Sequence, residues 1–105
     1  MSAFDLQAVE QGLHFLRDRA AVLASDVANA RTQGFVAVDI DPVARVNSAG
    51  AVFAEAVKEV GRGKTGVLEY AMGATAQNSV AYKALAEQER AMLKEFRTVA
   101  EEARR

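Results

Sequence analysis

The chain has 105 residues, half of them hydrophobic, with 13 basic against 14 acidic side chains and a formal net charge of −1. That size suits one small domain with a modest core, and the charge balance offers neither a basic footprint for nucleic acid nor a polybasic anchor for anionic lipid. With no cysteine, disulfides and thiolate metal sites are excluded as well.

Met1 to Gln11 has no basic stretch followed by a continuous apolar run, so no cleavable secretory signal is expected. The first element is expected over residues 1–31. Leu6, Val9, Leu13, Leu16, Ala20, Leu23, Val27 and Ala30 recur at alternating spacings of three and four, the seam of a helix that packs on another helix. Ser2 and Asp5 suit a capping box at its start, and Gly12 is the poor helix former inside it. Thr32-Gln33-Gly34 reads as the turn that ends it.

Residues 32–66 read as an irregular connector. Phe35 to Asp41 alternates like a short strand, and Asp41-Pro42 is a break. Residues 49–60, with Phe53, Ala56, Val57 and Val60 at helical spacing, fit a short amphipathic helix. Gly61 to Gly66 reads as a flexible hinge into the last helix, expected over 67–104 with Thr65 as its N-cap. Its seam is read as Leu68, Met72, Thr75, Ser79, Tyr82, Ala86, Glu89, Leu93, Phe96 and Ala100, widened by Leu85, Met92 and Val99. The expected fold is therefore all-α: long N- and C-terminal helices paired as an antiparallel, coiled-coil-like hairpin, with an irregular middle, in one domain spanning 1–105.

Chemistry-bearing patterns are sparse. His14 is the only histidine, and a metal site there would need carboxylates alone to complete it; a solvated position is expected. Gly63-Lys64-Thr65 resembles the end of a P-loop, but the first glycine that motif requires falls on Lys58, so it is rejected. Glu55 and Glu59, and the charges Glu87, Arg90, Lys94 and Glu101, read as surface. Glu89 lies on the expected seam, where an unpaired carboxylate is costly, so it is expected to reach an arginine or another subunit. No catalytic, cofactor-binding or metal-ligating set is expected, and no small-molecule substrate.

Residues 23–41 carry a more specific signal. Ala24, Ser25, Val27, Ala28, Asn29, Thr32, Gly34, Phe35 and Asp39 match a pattern close to A-S-N-[IV]-A-N-x-x-T-P-G-[FY]-x-x-x-[DE], and the stretch resembles the signature of flagellar basal-body rod proteins. The segment from Leu68-Glu69 through Tyr82-Lys83-Ala84-Leu85 to Phe96-Arg97 is similar to the last helix of the proximal members. Asp26 stands where the pattern has Asn, and Gln33 where it has Pro, which removes the fixed φ of that corner.

The resemblance implies a structural subunit of the rod, exported by the flagellar type III apparatus into the periplasmic basal body. It also implies partners: copies of itself, other rod proteins and the junction protein between rod and membrane ring. The alternative is a helical adaptor or secretion-apparatus subunit outside the flagellum, which shares the heptads without needing the 23–41 signature. On either reading two amphipathic helices with a single seam bury too little alone, and the isolated chain is expected to be only partly ordered.

Overall fold

The computed structural model describes residues 3–47 and 50–105, and the side chains of residues 5–42 and 56–105. Helix α1 runs Ala3–Ala28, strand β1 Val36–Asn47, strand β2 Gly50–Arg62 and helix α2 Gly63–Ala103. The two helices pack side by side and antiparallel: Ala30, just past α1, meets Val67, Leu16 meets Asn78, and Gly12 meets Leu85. The protein is thus mainly helical, as expected, but with a two-stranded antiparallel sheet, which corrects the all-α reading. Its extents are 65 × 31 × 14 Å, and the 41 residues of α2 at about 1.5 Å per residue account for nearly all of that length.

The connector is a β-hairpin. β1 extends the strand expected at Phe35–Asp41, passing straight through Pro42 opposite Glu55; an outer strand tolerates proline because one side of its backbone needs no ladder partner. The short helix expected over 49–60 is instead β2, with residue 49 lying outside the described residues. The ladder there slips by one residue: Ala37 pairs with Gly61 and Val38 with Glu59, leaving Val60 as a bulge. An extra residue switches the face that follows it. Val57 is 69% exposed while Val60 packs on the core, so the two do not share the single face that a helical spacing would give them.

No flexible hinge separates β2 from α2. Gly63, at φ +74°, takes the left-handed conformation open to glycine and turns the strand directly into the helix. Arg62, extended and without a side-chain cap, occupies the N-cap position expected for Thr65. Ser2 lies outside the described residues, whereas Asp5 sits in the first turn of α1.

The α1 seam holds at Val9, Leu16, Leu23 and Ala30, all buried. Ala20 and Val27 are exposed, and their neighbours Arg19 and Asp26 face inward. On α2 the seam is displaced by one residue from the expected one: Val67, Ala71, Ala74, Asn78 and Met92 are buried and Leu85 half-buried, whereas Met72 is 67%, Leu93 45% and Tyr82 42% exposed. Small residues decide the phase. Ala71 and Ala74 let the helices approach, and the bare Cα of Gly12 admits the Leu85 side chain, whose Cδ1 lies 3.0 Å from where a Cβ would stand.

Candidate functional site

The three segments meet where α1 ends, β1 begins and α2 begins. Ala30, Ala37 and Val67 are buried together there, with Phe35, Val60 and Leu68 packed against them. The turn that leads into this joint is built by the 23–41 motif. The Asn29 backbone N–H and side-chain Nδ2 both donate to the Ser25 carbonyl, at 3.0 and 2.9 Å, closing the end of α1. Thr32 N–H donates to Asn29 O and Phe35 N–H to Thr32 O. Gly34, at φ +77°, takes the left-handed step that lets Phe35 reach the core.

Asp39, with no exposed surface, is the polar centre of the joint. Arg19 of α1 grips it as a fork: Nε lies 3.0 and 3.2 Å from Oδ1 and Oδ2, and Nη2 2.8 Å from Oδ2. Tyr70 of α2 donates its hydroxyl to Oδ2 at 2.5 Å, and the Ile40 N–H donates to Oδ1 at 2.8 Å. Burial pushes this carboxyl up, but donation from Arg19, Tyr70 and Ile40 outweighs burial and leaves it below its ordinary range. The Asp39 hydrogen bond, more than burial, sets Arg19, whose pKa is raised. Tyr70 is raised by burial first and then by donating to Asp39. Donors occupy both oxygens of the carboxylate, so the cluster is a three-element tie and not a poised base.

A second acid lies beside it. Asp26, 1% exposed, accepts the Val38 N–H on Oδ1 at 3.2 Å, while its Oδ2 is buried with no hydrogen-bond partner among the described residues. Burial, then the Asp39 charge, raises its pKa, with the Val38 N–H opposing. Halfway along the hairpin, Asn78 donates from Nδ2 to the Leu16 carbonyl at 2.9 Å and leaves its own Oδ1 buried without a partner.

Of the motif residues, Asn29, Gly34, Phe35 and Asp39 thus build the joint. The side chains of Ala24, Ser25, Val27, Ala28 and Thr32 are exposed. Arg19, Tyr70 and Asp26 were not expected at the joint. The signal for Arg19 and Asp26 was their spacing: Arg19 lies three after Leu16 and four before Leu23, and Asp26 lies three after Leu23 and four before Ala30, both on the inward stripe. Tyr70 carried no such signal.

The α2 residues expected on the seam form instead a second stripe along one side of the helical hairpin. Leu68 belongs to the joint, but Met72, Thr75, Ser79, Tyr82 and Leu93 are exposed, and Phe96 and Glu89 half-buried. Leu6 and Leu13 of α1 are half-buried. Two grooves between the helices run along this side and share Arg17 and Tyr82: one holds Leu16, Ala20, Asn78 and Lys83, the other Glu10, Leu13, His14 and Glu89. His14 is exposed and accepts from Arg17 Nη2 at 2.6 Å on Nδ1. Glu89 shares that groove with Arg17 but pairs with no arginine among the described residues, so of the two partners expected for it only another subunit is left.

Among the described residues no group of three His, Cys, Asp or Glu side chains could hold a metal ion, and no helix is long and apolar enough to cross a membrane. The fold and site define a helical hairpin carrying a β-hairpin, locked by a buried Arg–Asp–Tyr tie. Against known protein families, curated proteins and solved structures, the chain matches none.

Proposed function

We propose that the chain is a structural subunit of the bacterial flagellar basal-body rod, of the proximal kind, that assembles with its own copies, other rod proteins and the junction protein of the membrane ring. On this reading it travels through the flagellar type III apparatus, resides in the periplasmic rod and transmits torque through packed helices, without catalysis. The observation that carries it is the second apolar stripe. Tyr82 lines both interhelical grooves, and Met72 and Leu93, three residues before Thr75 and four after Glu89, stand exposed on the same face of α2, the kind of surface that another subunit would cover. Head-to-tail burial of such a row between successive subunits builds an open helical array.

The family part of the reading rests on residues 23–41. Their match to the rod signature is supported by what the matching residues do locally: Asn29 closes the helix, Gly34 turns, Phe35 anchors and Asp39 ties. A chain bearing a peptide tag, expressed in its source cells, provides the test. Cryo-electron microscopy of isolated basal bodies is expected to place the tag along the rod; basal bodies free of the tag, in cells that make the chain, would overturn the proposal.

A further inference from the structure

We propose that the Asp26 carboxyl carries a proton in the folded protein and acts as a proton-dependent catch, which holds strand β1 on helix α1 when protonated and loosens it when ionised. Three features of the site converge on this. Oδ2 is enclosed and meets no donor among the described residues, a setting in which a negative charge is costly. Asp26 lies in the last turn of α1, which ends at Ala28 and holds no basic residue; the carbonyl end of a helix carries partial negative charge and disfavours another. Arg19 and Tyr70 are committed to Asp39, and Arg31, Arg62 and Lys64, which line the groove at Ala30 and Phe35, are exposed.

The charged and titratable groups around the joint are few. On α1, Arg19 is bound as a fork to Asp39. On β1, Asp39 is itself the anion. On α2, Tyr70 donates its hydroxyl to Asp39. On β2, Lys58 is paired at the surface with Asp41 at 3.0 Å. One carboxylate is therefore neutralised and the other is left beside it without a counter-ion. Burial and the Asp39 charge act on Asp26 in the same direction, towards the protonated form.

The position gives the proton its mechanical sense. Asp26 Oδ1 takes the N–H of Val38, the residue at the register slip, and Asp39 follows directly. Adjacent residues of β1 are thus held by two acids of opposite behaviour: one is gripped as an anion, the other sits there as a neutral acid. Ionising Asp26 places a second negative charge against the first, at the point where the β-hairpin leaves the helices. This depends on the joint alone and holds whatever the molecule assembles with.

A folded-state affinity for the proton above that of the unfolded chain gives stability that is full below the ordinary aspartate value of about 4 and declines as pH rises through the folded value. The experiment is a carbon-13 NMR titration of the Asp26 carboxyl, run with thermal melts and Val38 amide exchange on the wild type and Asp26→Asn from pH 4 to 9. Asp26 is expected to titrate above the ordinary aspartate value. The wild type should match the variant at pH 4 and melt about 4 °C or more below it once Asp26 has ionised, with faster exchange at Val38 in the wild type only. A midpoint at or below the ordinary value overturns the proposal. So does a variant that is less stable than the wild type at pH 8 or fails to fold there, because a neutral side chain would then not replace the acid.

Discussion

At Asp39, donors from α1, α2 and the strand's own backbone converge on a carboxylate that has no exposed surface. Removing one partner of a buried pair leaves the other charge without compensation, which costs about 3–5 kcal/mol when both are enclosed. Arg19 keeps 18% of its side chain exposed, so Asp39→Asn is expected to destabilise by about 3 kcal/mol, at the low end of that range. Tyr70→Phe should cost only about 1 kcal/mol, one hydrogen bond. Urea titration of both variants measures the difference. The acid arm has a definite sign: the folded Asp39 carboxyl lies below its ordinary range, so its contribution is present above about pH 4 and fades as pH falls through the folded value. In the Asp39→Asn variant that acid-side loss should be missing from a series of melts at falling pH. Asp39, Asn29, Gly34 and Phe35 were legible in the sequence because their roles are local or belong to the motif. The tie was not: Arg19 showed only its inward spacing and Tyr70 nothing, because their partner arrives from another element 20 and 31 residues away.

At the scale of elements, both long helices could be read from periodicity, and so could the inward face of α1 at Val9, Leu16, Leu23 and Ala30, but not that of α2. A helix with two adjacent apolar stripes offers two seams, and the eye follows the larger side chains: Met72, Tyr82 and Leu93 outweigh Ala71, Ala74 and Asn78 in hydrophobicity. Packing favours the smaller set because close approach needs small residues, with Gly12 receiving Leu85 opposite. β2 was missed because the spacing of Val57 and Val60 fits a helix, although the two face opposite ways in the hairpin. The seam assignment makes a paired prediction. Leu23→Ala, at a fully buried position, should lower stability by about 3–5 kcal/mol, whereas Met72→Ala on the outer stripe should stay within about 0.5 kcal/mol in the monomer. Equal losses in chemical denaturation would mean that the inner and outer stripes have been assigned the wrong way round.

At the scale of the molecule, the hairpin is longer than its own packing requires. Gly12 faces Leu85, and nine residues back to Ala3 correspond to nine on to Lys94, so the last turns of α2 run past the start of α1. Val99, 61% exposed, lies on them. A helical end of roughly ten residues is marginal in water by itself, and one that exposes Val99 gains from a neighbour. The outer stripe and this overhang are where the account requires another protomer. Because the chain has no cysteine, single-cysteine variants report such contacts without background. The most direct measurement is cross-linking in the source cells of Met72→Cys and Leu93→Cys, each thiol joined through a maleimide to a benzophenone that inserts on irradiation into whatever side chain lies opposite. Gln77→Cys serves as control: it is exposed, two residues from both Thr75 and Ser79, and therefore on the far side of α2. The account predicts covalent adducts with neighbouring protomers from positions 72 and 93 and little from 77; chains that stay monomeric at all three positions, or that cross-link equally at 77, would contradict it.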